Sequence, residues 1–340
     1  MSKELELEDD IVKIQTKPGM YIAYLGKAAA FHLTKELINN AIDECKNKKS
    51  PAKNVNITYD KSIDTLTITD DGRGISPDDL KLVCTKLNSG SKFTRSDGVA
   101  TGGENGVGMT AVNALSSEFI LRSYRKGKEF SITFQEGKEL EDRQIVGAKA
   151  DKLHGLSVTF TPSKFYLGKD TQIPIEDVIK WLTDISYFIK EKIKFTIEIF
   201  DGFKLIDTIN IKSKSPEQFL KDKVDKPISP ISHISGSIAA IEESQNQQIP
   251  RTIHLDLTFM YSDDITPYVN SFCNNINTIN GGLHLDTAKD CLCRILQMET
   301  KKALNATEQK KLDILYVDVL QGLNYAVNLE TDMNVQFSAQ

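Results

Sequence analysis

No stretch of this 340-residue sequence approaches the roughly 18 consecutive apolar residues of a membrane-spanning helix, so no helical span is expected. A positive charge excess is also missing. Lys and Arg number 42 against 47 Asp and Glu, for a formal net charge of -5, which excludes nucleic-acid binding through overall charge. Any DNA contact has to come from local basic patches. Cysteine is scarce, and Cys45, Cys84, Cys273, Cys291 and Cys293 show neither metal-ligand spacing nor a disulfide framework. Cys291 and Cys293 stand one residue too close for a CxxC motif. The opening, MSKELELEDDIVK, is charged rather than apolar, so reduced thiols in a cytoplasmic setting are expected. Internal repeats and low-complexity tracts are absent, and tryptophan occurs once, at Trp181.

What is present is an ordinary globular composition, 40% hydrophobic and 26% charged, on a chain long enough for two domains. A short acidic arm, residues 1–14, leads to Lys17-Pro18-Gly19-Met20-Tyr21-Ile22, where Pro-Gly marks a turn. Leu33 to Cys45 reads as an amphipathic helix. Residues four apart stack Glu36, Asn40 and Glu44 in one polar stripe, flanked by Asn39 and Asp43. Leu37, Ile38, Ala41, Ile42 and Cys45 form the apolar stripe. On this segment alone a solvated surface helix and a ligand-facing helix both remain open.

Asn54 to Tyr59 and Thr65 to Thr69 alternate as paired strands and run into Asp70-Asp71-Gly72-Arg73-Gly74-Ile75. A helix opens at Asp78 and Asp79. Asn88 to Asn105 is a long Gly-, Ser- and Thr-rich segment of the kind that carries function or moves. It ends in Thr101-Gly102-Gly103-Glu104-Asn105-Gly106-Val107-Gly108 before an apolar helix, Met109 to Leu115. Strands are expected at Phe119–Tyr124, Phe130–Phe134, Leu156–Phe160 and Phe195–Phe200, with a helix near Ile175–Lys190, giving an α+β layer with helices on one side. Lys212 to Lys226, with five lysines and Pro216, marks the domain boundary. Beyond it come strands at Ser237–Ile241, His254–Met260 and Gly322–Leu329 and a helix from Thr287 to about Leu304.

Three segments suit a nucleotide. Glycines 102, 103, 106 and 108 ahead of a helix can turn backbone amides toward an oligophosphate. Asp70 at a strand end can accept from an exocyclic amine, while glycine lets a flat ring approach the backbone. With phosphates against the helix, Glu36 can position and deprotonate a water and Asn40 can offer an amide oxygen to Mg²⁺. Glu44 can pair with Arg73. Each segment alone also has a plain structural reading: a flexible loop, a β-turn, a surface helix.

Taken together, Glu36-Leu-Ile-Asn-Asn-Ala-Ile-Asp-Glu44, Asp70-Asp-Gly-Arg-Gly-Ile75 and Thr101-Gly-Gly-Glu-Asn-Gly-Val-Gly-Met-Thr-Ala-Val-Asn-Ala-Leu115 resemble the GHKL ATPase signature. Lys17-Pro-Gly-Met-Tyr-Ile22 and Asn274-Asn-Ile-Asn-Thr-Ile-Asn-Gly-Gly-Leu-His284 resemble motifs of the type IIA DNA topoisomerase ATPase subunits, gyrase B and its topoisomerase IV ParE-like relatives. The alternative is a GHKL clamp of another kind, mismatch-repair or chaperone-like, which lacks the second-domain motif. The resemblance implies a GHKL (Bergerat) ATPase sandwich over residues 1–215 and a smaller α/β transducer domain of ribosomal-S5-like type over 216–340.

It implies Glu36 as general base and Asn40 as Mg²⁺ ligand. It places Asp70, Gly74 and Ile75 at the adenine, Glu44 paired with Arg73 at the pocket edge, Lys92 on a lid, and Gly102, Gly103, Asn105, Gly106, Val107 and Gly108 at the phosphates. Arg125 matches a rim position. It further implies ATP-driven homodimerisation and double-stranded DNA engaged through the full-length enzyme, with DNA cleavage and religation left to a subunit or domain outside this chain. The expected location is cytoplasmic, nucleoid-associated or phage-encoded in a host cytoplasm.

Three departures stand out. Glu104-Asn105 replaces the usual Leu-His. Leu156 falls where the family carries a threonine near adenine, and on a strand it shares its face with Val158 and Phe160. Val335-Gln-Phe-Ser-Ala-Gln340 stops at what matches the glutamine of a Gln-Thr-Lys loop, so a cut fragment lacking the switch lysine, with weak hydrolysis, is expected.

Overall fold

Apolar side chains at every second position set the first sheet. Val55, Ile57 and Tyr59 of β1 (Asn54–Asp60) are buried, as are Leu66, Ile68 and Asp70 of β2 (Thr65–Asp70). The computed structural model describes residues 9–22, 25–47, 50–87, 108–145, 154–244, 247–264, 266–274, 276–278, 280–333 and 335. Six more strands complete the sheet: β3 (Ser116–Arg125), β4 (Lys128–Gln135), β5 (Lys138–Ile145), β6 (Gly155–Pro162), β7 (Lys194–Asp201) and β8 (Lys204–Lys212). Their order is β5-β4-β3-β6-β2-β1-β7-β8, antiparallel except for the β1–β7 pair.

Helices α1 (Asp10–Thr16), α2 (Gly19–Ile22), α3 (Lys27–Cys45), α4 (Pro77–Thr85), α5 (Gly108–Ala114), α6 (Lys164–Leu167) and α7 (Ile175–Ile185) accompany this sheet. Buried residues of α1, α3, α5 and α7 join the strands in one apolar core. The opposite face of the sheet is a hydroxyl ladder, in which Thr65, Thr67 and Thr69 meet Thr161, Thr159 and Ser157 at 2.7–2.9 Å. This is the expected α+β layering with helices on one side.

A second sheet runs β12-β11-β13-β10-β9, with β9 (Ser232–Ser244), β10 (Gln247–Tyr261), β11 (Val269–Cys273), β12 (Ile276–Asn277) and β13 (Leu323–Thr331). Leu257, Tyr325 and Val327 on one face pack under α9 (Leu283–Ala303) and α11 (Tyr316–Leu320), while α10 (Ala306–Lys311) opens with a full capping box at Asn305. Its other face meets the first unit. There α8 (Pro216–Lys223) wedges Phe219 between Tyr187, Phe188, Tyr268 and Phe272, with ring centroids 5.1–5.9 Å apart.

Some expectations are corrected. The acidic arm is helical from Asp10, capped by Asp9 and anchored by buried Ile11 and Ile14. The Pro18-Gly19 turn opens a short helix. Strand β5 went unforeseen because it is a charged edge strand without an apolar alternation, and β8, the other edge, because it alternates only over Ile209-Asn210-Ile211-Lys212. The Ile175 helix ends at Ile185 rather than Lys190.

Candidate nucleotide site

Helix α3 is fixed from below. Leu33, Leu37, Ile38, Ala41, Ile42 and Cys45 are buried, which leaves Glu36, Asn40 and Glu44 half-buried along the other side. Asn39, read as flanking that stripe, is turned inward and buried. Glu44 reaches the turn after β2. Its Oε1 accepts from the Arg73 backbone N–H at 3.1 Å and its Oε2 from Arg73 Nε at 3.2 Å. The expected Glu44–Arg73 pair is therefore made, and it is made to backbone as well as side chain.

Asp70 closes β2 on the helix-covered face and is buried. Its Oδ1 accepts from Gly72 N–H at 2.9 Å. Burial pushes its carboxyl up to about 7, against the hydrogen bond from Gly72 and with help from the nearby charge of Glu44. A buried acceptor on the edge of a turn, its carboxyl held well above the usual carboxylate range, suits a ligand that brings an N–H donor. The next residue, Asp71, does a different job, accepting from Lys53 N–H, Asn54 N–H and Asn54 Nδ2 at 2.6–2.9 Å.

Behind the turn the backbone is very tight. Gly155 has φ +119°, and a Cβ there would lie 1.9 Å from the Asp70 carbonyl oxygen. Gly74, at φ +65°, would place a Cβ 2.8 Å from both Gly155 O and Ser123 Oγ. Ile75 is fastened by Ser123, whose Oγ accepts from Ile75 N–H at 2.9 Å and donates to Ile75 O at 2.7 Å. His154 Nδ1 lies 3.1 Å from Gly72 O. At the other end of the stripe, a Cβ on Gly108 would lie 2.4 Å from Glu36 Oε2, so the start of α5 sits directly on Glu36.

His32, one turn before Glu36, places Nε2 3.9 Å from Glu36 Oε1. Burial and then the charge of Lys35 lower its pKa to about 4, so it is neutral at pH 7 and forms no ion pair with Glu36 despite the distance.

The structure thus brings Glu36, Asn40, Glu44, Asp70, Arg73, Gly74, Ile75 and Gly108 to α3 and its neighbouring turns. Arg125 ends β3, directly after Tyr124, whose carbonyl faces Gly74. Lys92, Gly102, Gly103, Asn105, Gly106 and Val107 lie outside the described residues, as does the segment from Gln336 to Gln340. Leu156 shares the covered face with Val158 and Phe160, while Ser157 bonds Thr69 on the opposite one. His32, Ser123 and His154 were not singled out from sequence. Strand alternation places Ser123 on the covered face, but its bond to Ile75 becomes visible only once β3 pairs with β6.

Residues 27–138 match the model of the histidine kinase-, DNA gyrase B- and HSP90-like ATPases. Residues 216–340 match that of DNA gyrase B, and the two matches together take in more than half of the chain. The two matches follow one another along the chain, the first on elements of the first sheet and the second on the second sheet. It is 28% identical over 338 residues to the B-type subunit of the Aquifex aeolicus type 2 topoisomerase, covering 96% of this chain and 40% of that protein. It is 25% identical to the DNA gyrase B protein of Mycoplasma genitalium, covering 100% of this chain and 52% of the relative. The chain therefore spans about half the length of the curated relatives it matches. The 43K ATPase domain of Thermus thermophilus gyrase B, solved with an aminocoumarin, shares its fold with a TM-score of 0.69 at 22% identity, over 97% of this chain and 83% of that one.

Proposed function

We propose that this chain is the ATP-binding and ATP-hydrolysing module of a type IIA DNA topoisomerase. Residues 1–215 form the ATPase unit and 216–340 the transducer. The observation that supports it best is the meeting of the α3 stripe with the Asp70–Ile75 turn, a water-activating carboxylate at one end and a buried acceptor at the other. The matches to the histidine kinase-, DNA gyrase B- and HSP90-like ATPase model and to the DNA gyrase B model point the same way.

Asp70 accepts from the exocyclic amine of adenine, and Gly74 and Ile75 let the ring lie against the backbone. Glu44 holds Arg73 and thereby the outer side of the turn. Glu36 orients a water toward the γ-phosphorus and takes its proton, since phosphoryl transfer asks for positioning and charge stabilisation more than for a protein nucleophile. The phosphates lie toward Gly108 and the glycines that precede it in the sequence, with Lys92 supplying positive charge to them and Arg125 at the rim.

The donor set suits Mg²⁺. Asn40 offers one hard amide oxygen, and among the described residues no group of three or more His, Cys, Asp or Glu is arranged to hold a metal. Asn40 would hold Mg²⁺ together with the substrate phosphates, as suits an ion that dehydrates reluctantly and needs few protein ligands. When bound, it supplies charge neutralisation on the phosphate oxygens. In the longer enzyme, nucleotide-driven pairing of two such chains gates passage of double-stranded DNA, with cleavage and religation done elsewhere, in a cytoplasmic, nucleoid-associated or phage-infected setting.

Glu36→Ala tests the core of this reading. The variant is expected to bind ATP with wild-type affinity and to lose hydrolysis by about 10²–10⁴-fold, the usual contribution of a general base. Turnover equal to wild type removes Glu36 from that role.

A further inference from the structure

One cross-strand row runs beneath the site. Following the register from β7 to β4, it reads Phe195, Val55, Asp70, Leu156, Ser123, Phe130. Directly paired residues point to the same face, so all six lie on the side covered by helices. Only Asp70 and Ser123 are polar, and they flank Leu156. Ser123 is fully buried.

A buried hydroxyl in an apolar row needs partners. Ser123 finds both on one residue of the Asp70 turn, the N–H and C=O of Ile75. Its single proton goes to Ile75 O, which leaves Oγ an acceptor toward everything else. The turn is thus fastened at its two ends by different side chains. Glu44 of α3 holds Arg73 at the entry, and Ser123 of β3 holds Ile75 at the exit. Gly74 lies between them, pressed against Ser123 Oγ and Gly155 O with no room for a side chain.

We propose that Ser123 is the positioning residue of the adenine pocket, fixing Ile75 so that Asp70 and the Gly72–Gly74 backbone are presented in their binding shape before the nucleotide arrives. This rests on the reading of the Asp70 turn as the adenine site. Ser123 acts through Ile75 on binding and lies on a different element from Glu36, so its removal separates affinity from chemistry. Without it, Ile75 N–H and O lose their partner and the turn has to be ordered by the ligand, which weakens binding by the share of time the turn spends elsewhere.

The test compares Ser123→Ala with Ser157→Ala, which removes a buried hydroxyl from the opposite face of the same sheet. Each is measured by calorimetry with Mg·ATP, steady-state hydrolysis, and amide exchange at Ile75 in the empty protein. Ser123→Ala is expected to raise the dissociation constant and KM about five- to tenfold, to leave kcat within twofold, and to lose exchange protection at Ile75 while β2 and β3 keep theirs. Ser157→Ala is expected to move none of these. Ser123→Thr, which keeps the hydroxyl, is expected to restore Ile75 protection and most of the affinity. Unchanged affinity in a folded Ser123→Ala variant overturns the proposal alone. A folded wild-type chain that binds no ATP overturns the reading of the site and this inference with it.

Discussion

The Asp70 turn and the junction between the two sheets both set polar groups against a buried core, yet they treat their polar atoms differently. Around the turn, Asp70, Glu44 and Ser123 each bond backbone of a neighbouring residue at 2.7–3.1 Å. At the junction, Phe219 and its ring neighbours form a dense aromatic block beside a looser ionic region. Lys190 reaches Glu330 at 2.8 Å and Asp256 at 4.0 Å, Lys46 at the end of α3 lies 3.8 Å from Glu330, and His233 lies 3.2 Å from Asp256. In the same region Asn328 Nδ2, Asn328 Oδ1 and Thr258 Oγ1 have no hydrogen-bond partner among the described residues. Backbone-directed bonds hold one shape. Side-chain ion pairs and unpaired amides tolerate several. The turn is built as a preorganised receptor, and the junction as a fixed aromatic core with an adjustable margin.

The comparison breaks most visibly at the aromatic block. Phe219→Ala removes a fully buried ring and is expected to destabilise the chain by about 3–5 kcal/mol, read from the urea midpoint. ATP affinity, measured where the variant is still folded, is expected to stay close to wild type because the ring partners are Tyr187, Phe188, Tyr268 and Phe272, none of them in the Asp70 turn. Gly155→Ala is the converse. Its Cβ would collide with the Asp70 carbonyl at a φ that side chains avoid, for a stability loss of about 1–3 kcal/mol. ATP binding is expected to fall below detection by calorimetry. If both variants lost affinity and stability in parallel, the two regions would be one cooperative unit and the contrast would fail.

A gentler probe is pH. The Asp70 carboxyl stands raised in the folded protein, from 3.8 to about 7. Between those values the folded state keeps a proton that the unfolded chain has released, so this group makes the empty protein less stable as pH rises through that window. Ligand binding runs the other way. The ionised carboxylate accepts more strongly from an amine than the neutral acid does, so ATP affinity is expected to rise between pH 6 and pH 8, by about tenfold at most, and to level off above. Asp70→Asn is expected to flatten that profile. A wild-type profile that is already flat would show that the nucleotide does not meet this carboxylate.

How far these regions were legible in the sequence follows from what signals each. The α3 stripe and the Asp70-Asp-Gly-Arg-Gly turn were readable because helical spacing and glycine placement are local. The Glu44–Arg73 pair followed from them. Ser123 was not readable, because nothing in Phe119-Ile-Leu-Arg-Ser-Tyr124 says which strand lies alongside. That depends on β3 pairing with β6, which comes three strands later in the chain. Edge strand β5 was missed since charge replaces alternation at an exposed edge, and β8 since only its last four residues alternate. The segment Lys212–Lys226 reads as a boundary by its lysines and prolines, but its Phe219 and Leu220 are buried in the first core. Charge density along a sequence reports the exposed side of a helix and hides the side that docks.

The smallest expected effect is the most informative about the junction's margin. Asn328 sits in the middle of β13, opposite Asp256 on β10 and Phe272 on β11, fully buried with both side-chain polar atoms unpartnered among the described residues. Leaving a buried amide unpaired carries a desolvation penalty of about 1–3 kcal/mol, which an apolar residue of similar size avoids. Asn328→Leu is therefore expected to leave stability unchanged or to raise it by about 1 kcal/mol, in a urea titration alongside wild type. The same replacement logic applied to the turn predicts the opposite sign, because Ser123 and Glu44 have partners to strand. A loss of about 2 kcal/mol or more at Asn328 would mean that its amide is satisfied by bound water, and that the junction is as fully hydrogen-bonded as the pocket. A neutral or stabilising outcome would mean that the amide is kept at a standing cost to stability, which fits a seam that shifts more readily than the rigid turn beside it.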